Sequence, residues 1–442
     1  MKKIIALLLA LCMVLAMAAC GTGSKPVTTT PNSDMSADQG ESDVPAYVTE
    51  PITINFWHTL GSGEAAQYIA DAVSRFNKEN EYGITVNATY MGGYGDVRSK
   101  AITSIGAGDP PQVIIVNMTN LLASTGILLD MTPYAERDGL DLNAFHENTR
   151  ASMYYEGQLT SMPIQRSCPL LYYNVDMFAA AGYTEAPKSY EELMEAAKKI
   201  YETTGIKGIS MMNDVSFYQE ALLSSLGSGL SNDDELGADC VNDGSMLKML
   251  SDWRQGVDEG WYAAPAVTDS HDSMYQNFYT GNLAAFLSSS AVLGNVTTYG
   301  PESGINAAVA PMPVYGGIGG TGGGGDINIV ASGNNEQQLA ASWEFVKFMM
   351  RDEEIAERCK RTGYMPVTDG AAALMETFFQ ENPNYAIAYE ARKTCVDYVS
   401  SAVKSDWNAQ IGATISYVIL DRSMTAEEGV EYLKKMYPSV FG

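Results

Sequence analysis

From residue 51 onward, short apolar stretches typical of strands alternate with longer stretches whose apolar residues have the spacing of a helix. The stretches "ITINF" (52–56), "GITVNATY" (83–90) and "PQVIIVN" (111–117) are short and apolar, as expected for strands. Between them, "GEAAQYIADAVSRFNKEN" (63–80) and "DVRSKAITSIGAG" (96–108) carry apolar residues at helical spacing. Strand–helix–strand–helix–strand with short connections predicts a parallel sheet that is covered by helices.

The same alternation returns in the second half of the chain. Ser189 stands three residues before Glu192, which predicts a capping box at the start of a helix over 189–204, and a strand over 206–212 follows. Further strands are predicted over 282–289, 304–312 and 326–333, and further helices over 215–226, 244–259, 336–350, 352–361, 371–380, 406–420 and 425–437. At 442 residues the chain exceeds the size of one hydrophobic core, and no linker-like stretch follows residue 47. Two interwoven lobes are therefore predicted.

The first twenty residues, "MKKIIALLLALCMVLAMAAC", have two lysines, a short apolar run and small residues before Cys20. This pattern predicts a signal peptide over 1–19 rather than a membrane-spanning helix. The stretch "MAACG" resembles the lipobox of bacterial lipoproteins, with Met17 in place of the usual leucine, and the alternative is plain secretion. The resemblance implies a lipid on Cys20 and an extracytoplasmic protein that is anchored to the outer face of the bacterial cytoplasmic membrane.

Residues 20–49 then contain the anchor cysteine and a linker that is rich in Gly, Ser, Thr, Pro and Asp, which predicts a flexible tether. The net charge of −26 argues against nucleic-acid binding and against docking on an anionic membrane surface. The chain has only three histidines, His58, His146 and His271, and none of the later cysteines forms a C-x-x-C pair. We therefore expect neither a metal site nor a cofactor.

Four cysteines remain after Cys12, which would leave with the signal peptide, and Cys20, which would be lipidated. An oxidising exterior permits disulfides, but four thiols allow three pairings and the sequence does not choose among them. These cysteines are Cys168, Cys240, Cys359 and Cys395.

The glycine-rich stretch "VYGGIGGTGGGGDINIV" (314–330) contains a literal G-x-G-x-x-G match over 317–322. The apolar strand "INIVAS" follows it instead of a helix whose N-terminus would take a pyrophosphate, so the dinucleotide-binding interpretation fails. We predict a mobile loop whose far end, Gly324 and Gly325, opens a strand at the border of a cleft.

Four stretches stand in this order along the chain: "FWHTL" (56–60), "PLLYYNVDMFAAAGY" (169–183), "FYTGNLAAFLSSS" (278–290) and "TGYMPV" (362–367). Together they resemble the extracellular solute-binding proteins (family 1) of ABC importers. The resemblance covers nearly all of residues 50–440, and it implies a two-lobed α/β fold of the type II periplasmic-binding-protein kind, with interwoven lobes that are joined by crossover strands and close on a ligand. By that pattern, the N-terminal lobe takes 50–165 plus 305–363 and the C-terminal lobe takes 166–304 plus 364–442.

The resemblance also implies a set of ligand contacts made by hydroxyls, a backbone amide and aromatic faces. Trp57 and His58 end the first strand and are predicted in the cleft, the alternative being a core tryptophan and a histidine that caps the next helix. Trp261 and Trp407 are either stacking platforms or core residues. The residues implied by the resemblance are Tyr94, Ser167, Ser289 or Ser290 without a choice between the two, Gly325 and Tyr364.

The chain departs from the members of the family that bind glycerol phosphate. Their acidic residue after the third strand corresponds here to Asn117-Met118, and their arginine falls in a segment, 400–412, whose only cation is Lys404. Arg166 is the only cation beside Ser167. Neutral amides alone can hold a phosphate, so a sugar, an oligosaccharide and a polyol phosphate such as glycerol 3-phosphate all remain candidate ligands.

The resemblance predicts a monomer that delivers its ligand to ABC permease subunits, with the ATPase on another chain because no G-x-x-x-x-G-K-[ST] occurs. A ligand-sensing surface receptor or adhesin of the same fold is an alternative. A secreted glycosidase is a second alternative, which needs two carboxylates across a cleft. The acidic runs at 232–239 and 352–354 are explained by solvation and by a helix dipole, so we predict that the protein is not an enzyme.

Overall fold

A computed structural model describes residues 45–213, 215–219, 221–223, 239–264, 271–314, 321–397 and 402–441. The predicted signal peptide, Cys20, most of the predicted linker and the glycines of 315–320 lie outside these residues, as does part of the helix predicted over 215–226. The strands are β1 (Ile52–His58), β2 (Ile84–Tyr90), β3 (Val113–Val116), β4 (Tyr154–Tyr155), β5 (Gln158–Leu159), β6 (Met162–Pro163), β7 (Pro169–Asn174), β8 (Ser210–Met211), β9 (Ala285–Ser289), β10 (Ala307–Pro311), β11 (Thr321–Gly322), β12 (Asp326–Ile329) and β13 (Val396–Asp397).

The described α-helices lie between these strands and after the last of them. They are α1 (Gly63–Glu79), α2 (Tyr94–Gly106), α3 (Asn120–Ala123), α4 (Thr132–Asp138), α5 (Glu147–Arg150), α6 (Val175–Ala180), α7 (Tyr190–Thr204), α8 (Asp239–Asn242), α9 (Ser245–Glu259), α10 (His271–Tyr279), α11 (Leu293–Glu302), α12 (Glu336–Met349), α13 (Asp352–Arg361), α14 (Asp369–Leu374), α15 (Glu376–Glu381), α16 (Pro383–Lys393), α17 (Ala402–Ile415), α18 (Ala426–Met436) and α19 (Pro438–Phe441). Two π-helical turns cover Val215–Gln219 and Ser416–Leu420.

The first sheet has the strand order β2-β1-β3-β12-β6. The strand β1 is parallel to β2 and β3, as the alternating pattern predicts, whereas β12 runs antiparallel to β3 and β6. Alternate residues of β1 point into the core, where Phe56 is fully buried and its ring lies 5.1 Å from that of Phe345 in α12. β12 thus enters this sheet from a distant part of the chain and in the direction opposite to β1 and β3.

The second sheet has the order β10-β7-β9-β8, with β7 antiparallel to both of its neighbours and β8 parallel to β9. The ring of Tyr172 in β7 stacks on Phe286 in β9 with centroids 4.9 Å apart. The strand predicted over 206–212 is reduced to Ser210–Met211, because Lys207 and Ile209 form only single bridges.

Three chain segments pass side by side between the two sheets. Ser167 and Gly323 pair as an antiparallel bridge, in which the Ser167 N–H donates to the Gly323 carbonyl at 2.8 Å. The Met365 N–H donates to the Arg166 carbonyl at 2.7 Å. The crossovers near 321–325 and 362–366 are therefore each hydrogen-bonded through the backbone to the crossover near 164–168.

Buried side chains form separate cores around the two sheets. One contains Phe56, Trp343 and, late in the chain, Val367 and Met375, while another contains Leu171, Trp253 and Trp407. Trp261 joins the second core, so Trp261 and Trp407 are core residues and not stacking platforms. The lobe boundaries given above stay predictions.

Side-chain caps begin α6, α7, α12, α14 and α18, and the cap of α7 differs from its prediction. Ser189 caps α7 by accepting from the Glu192 N–H at 3.2 Å, but the Glu192 carboxylate accepts instead from the Lys188 N–H at 2.7 Å, so the predicted capping box is only half formed. The helix predicted over 371–380 is broken at Met375 into α14 and α15. Across the described ranges, no helix has the length and apolar character needed to cross a bilayer.

Candidate ligand-binding site

Three polar side chains meet beside the crossovers. Tyr94 is the first residue of α2, directly after β2, and its hydroxyl donates to Oε1 of Gln165 at 2.7 Å. The same hydroxyl oxygen lies 3.4 Å from the hydroxyl of Tyr364. Because the single proton of Tyr94 goes to Gln165, Tyr364 is the donor between the two tyrosines. Two tyrosines predicted from opposite lobes thus touch, and Gln165 is bonded to one of them, Tyr94.

The two tyrosines are neutral hydrogen-bonding groups. Burial raises the pKa of Tyr94 well above its usual value, with a smaller contribution from Tyr364, and burial also raises the pKa of Tyr364. Both hydroxyls therefore keep their protons at physiological pH. A ligand hydroxyl that separates them would find an acceptor in Tyr94, whose proton is bonded to Gln165, and a donor in Tyr364.

Gly325 lies directly behind this pair. Its carbonyl accepts from the Gln165 N–H at 2.9 Å and from Nη1 of Arg166 at 3.0 Å. A Cβ at this position would lie 2.5 Å from Cε1 of Tyr94, 2.7 Å from Oε1 of Gln165 and 3.0 Å from Cγ2 of Ile115. The sequence predicts that the absence of a side chain at Gly325 leaves space for a ligand. In the structure, Tyr94 and Gln165 occupy that space.

The two serine positions differ in their surroundings. Ser167 is buried, and its hydroxyl donates to the Gly323 carbonyl at 3.2 Å. Ser290 is fully buried, and its hydroxyl accepts from the Cys168 N–H at 3.3 Å. Ser289 is half-buried, and its hydroxyl accepts from the Ala291 N–H at 3.1 Å. Of the predicted pair, Ser290 is the one in direct contact with the crossover that carries Ser167.

Trp57 and His58, which the sequence predicts in the cleft at the end of β1, have different surroundings. Trp57 is half-buried against a small cluster that includes Ile114, on the side of the sheet covered by α2. His58 is only 7% exposed, and its ring lies 5.5 Å from that of Phe56 and 6.3 Å from that of Tyr90. The next residue, Thr59, reaches the tyrosine cluster, since its hydroxyl lies 3.4 Å from Oε1 of Gln165. Ligand contact by Trp57 and His58 stays a prediction.

Gln165 is the residue that sequence reasoning missed. It is fully buried, its Oε1 accepts from Tyr94, and its Nε2 has no hydrogen-bond partner among the described residues. A buried donor without a partner costs about 1–3 kcal/mol, so a ligand acceptor that reached it would be favoured. The only sequence signal was its position two residues before Ser167.

Arg166, the cation beside Ser167, forms an ion pair with a carboxylate. It is 3% exposed, and its Nη2 forms an ion pair with Oδ1 of Asp326, the first residue of β12. Its Nη2 also donates to the Ser152 hydroxyl at 3.0 Å, and the other carboxylate oxygen of Asp326 accepts from the Thr119 hydroxyl at 3.0 Å. The charge of Arg166 is therefore compensated within the protein.

Another cation lies near the same end of the first sheet. Nη1 of Arg98 in α2 donates to the carbonyl and to Oδ1 of Asn117, both at 3.1 Å. Met118 next to it has a φ of 52°, a left-handed conformation that is uncommon for a non-glycine residue. The side chain of Lys404 lies outside the described part of the chain.

Comparison with known proteins identifies the family to which the chain belongs. The family model described as bacterial extracellular solute-binding protein matches residues 71–387. The chain belongs to the bacterial extracellular solute-binding protein family. The sn-glycerol-3-phosphate-binding periplasmic protein UgpB of Escherichia coli K12 is 27% identical to this solute-binding protein over 362 residues, which are 75% of this chain and 78% of that protein.

Solved structures show the same fold. UgpB from Mycobacterium tuberculosis in complex with glycerophosphocholine has a TM-score of 0.78 at 20% identity, covering 89% of this chain and 98% of that one. Lmo0181 from Listeria monocytogenes in complex with cycloalternan has a TM-score of 0.74 at 19% identity, covering 89% and 100%. The predicted two-lobed periplasmic-binding-protein fold is confirmed. The relatives and the fold are those of substrate-binding proteins and not of enzymes, so the glycosidase alternative is wrong.

Proposed function

We propose that this solute-binding protein captures a neutral polyhydroxylated ligand, a sugar or an oligosaccharide, between Tyr94 and Tyr364 and delivers it to the permease of an ABC importer. The observation that carries the proposal is the chemistry of the cluster. The two tyrosine hydroxyls are neutral, and the buried amide of Gln165 has an Nε2 without a partner among the described residues. Polyols are bound by such neutral donors and acceptors together with aromatic faces.

The compensated charge of Arg166 favours a neutral ligand over a phosphate. A phosphate that took this guanidinium would have to replace the buried contact with Asp326 and leave that carboxylate without its cation. Breaking a buried ion pair costs about 3–5 kcal/mol, which would offset most of the gain from the phosphate.

A polyol phosphate such as glycerol 3-phosphate is the second candidate ligand. The similarity to UgpB favours it, and Arg98 is the half-buried cation that would be available, because its partner Asn117 is uncharged. In this alternative the phosphate replaces the amide oxygen of Asn117 on the guanidinium.

A binding screen separates the two ligands. The full chain is titrated calorimetrically with maltose, maltotriose, glycerol and glycerol 3-phosphate, and each titration is repeated on Arg98→Gln. We expect a sugar to bind the two proteins equally, whereas glycerol and glycerol 3-phosphate show no saturable binding. Binding of glycerol 3-phosphate that is lost in Arg98→Gln would establish the second candidate instead. Absence of binding for every sugar in a wider thermal-shift panel would contradict the neutral-ligand proposal.

Anchoring at the outer face of the cytoplasmic membrane is also part of the proposal, and it rests on the lipobox-like "MAACG" and on membership of an extracellular family. Labelling with a clickable fatty acid in bacterial cells tests it: the wild type should incorporate the label and partition with membranes, and Cys20→Ala should do neither. Release of the unlabelled wild type into the medium would contradict anchoring. A permease operon next to the gene would favour import over a surface-receptor role.

A further inference from the structure

Two of the four cysteines lie in the same small core. Cys168 is the residue between Ser167 and β7, and Cys395 follows the end of α16, 227 positions later in the sequence (395 − 168). Both side chains are buried, with exposures of 0% and 1%, within one apolar cluster. The four described cysteines are present as thiols.

The contacts of the two sulfurs put them side by side. Sγ of Cys168 lies 3.4 Å from the carbonyl oxygen of Ala388, and Sγ of Cys395 lies 3.5 Å from that of Ala391. These carbonyls are three residues apart on α16, so they share one helix face. The Cys395 thiol is also near enough to raise the pKa of the Cys168 thiol.

The other two cysteines have different surroundings. Cys359 belongs to the core of the first sheet, and Cys240 belongs to the core that contains Trp253. Neither shares a cluster with the other or with Cys168. Of the six pairs that four cysteines can form, the described structure therefore brings together one.

We propose that Cys168 and Cys395 form a disulfide in the exported protein. An extracellular family member folds in an oxidising environment, where disulfides form and persist. The two thiols lose two protons and two electrons as the S–S bond forms. The electrons reduce the disulfide of a thiol oxidoreductase, or a small disulfide such as oxidised glutathione, to two thiols.

The bond would form before the core closes. Burial of both sulfurs excludes an oxidant from the folded protein, and the neighbouring thiol together with burial raises the pKa of Cys168 well above its usual value, which leaves little thiolate. Once formed, the disulfide ties the crossover that carries Ser167 to the end of α16. Closing so long a loop strongly restricts the unfolded chain.

Peptide mapping tests the proposal. The full chain is refolded from denaturant in a mixture of oxidised and reduced glutathione, alkylated in denaturant and digested without reduction. We expect one cross-linked peptide that joins Cys168 to Cys395, with Cys240 and Cys359 carrying the alkylating label. Full labelling of Cys168 and Cys395, or a cross-link to another cysteine, would overturn the proposal.

Thermal unfolding provides a second measurement. Reduction of the refolded wild type should lower Tm by roughly 5 °C or more, and Cys168→Ser/Cys395→Ser should show no such response. The matched control is Cys359→Ser, which keeps the pair and should respond to reduction like the wild type. An equal response in the double variant would overturn the proposal, and the mapping of the wild type does not depend on that variant folding.

Discussion

The hydroxyl of Tyr94 donates a 2.7 Å hydrogen bond to Oε1 of Gln165, a residue 71 positions later in the chain. This bond fixes the orientation of the buried amide and leaves its Nε2 without a partner among the described residues. It also forces Tyr364 to be the donor in its contact with Tyr94. A ligand that enters between the tyrosines therefore meets a polar cluster whose donor directions are already set.

We expect Tyr364→Phe to weaken ligand binding roughly fivefold, since one neutral hydrogen bond contributes about 1 kcal/mol. The Tm without ligand should stay nearly unchanged, because among the described residues the hydroxyl has a hydrogen-bond contact only with Tyr94, at 3.4 Å. Isothermal titration and thermal unfolding measure the two effects. The control is Tyr82→Phe, whose side chain is 40% exposed and which should change neither. A large loss of Tm in Tyr364→Phe would mark Tyr364 as a core residue.

Gly325→Ala should displace the ring of Tyr94, because the new Cβ would lie 2.5 Å from its Cε1. Crowding of this kind costs about 1–3 kcal/mol, and ligand affinity should fall together with Tm. Gly95→Ala is the matched control: it lies next to Tyr94 in α2, and a Cβ there meets nothing within 4 Å. Unfolding and titration of both variants test this, and equal behaviour of the two would contradict the packing argument.

Arg166→Leu should lower the free energy of unfolding by about 3–5 kcal/mol, because it leaves the carboxylate of Asp326 buried without its cation. Arg166→Leu/Asp326→Leu should regain much of this loss, and urea denaturation of the single and double variants gives the coupling. Lys188→Ala, which removes an exposed pair with Glu185, should have no measurable effect. Losses of the two single variants that simply add would contradict the coupling.

His58 should make the protein less stable as the pH falls. Burial lowers the pKa of its imidazole from 6.5 to about 4, with a hydrogen bond to the Leu60 backbone acting in the opposite direction. Between these values the unfolded chain takes up a proton that the folded chain does not, so stability is lost as the pH falls from 6.5 and the loss levels off near 4. The maximum is about 3 kcal/mol.

Chemical denaturation of the wild type and of His58→Gln at a series of pH values checks this expectation. The variant should lose less stability than the wild type over that interval, since its amide does not titrate. Identical pH profiles would show that the imidazole is protonated as readily in the folded protein as in the unfolded chain.

The sequence by itself determined the local elements, because their signals are periodic and short-ranged. The apolar spacing of residues 63–80 predicts α1, and the alternation of 52–56 predicts β1. The motif order determined the family, and with it the proximity of Tyr94, Gly325 and Tyr364. The exclusion of a dinucleotide site also needed only the strand that follows the glycine run, which is β12.

Only the tertiary structure decided which distant groups meet. The chain carries no local sign that Arg166 pairs with Asp326, 160 residues away, or that Cys168 lies beside Cys395. The chain returns to the first sheet after it has formed the second one. This return places β12 antiparallel to β3, and it places Gly325 where Tyr94 packs against it. Contacts of this kind are made by side chains of distant segments, so they leave no period in the sequence and appear only when both sheets are in place.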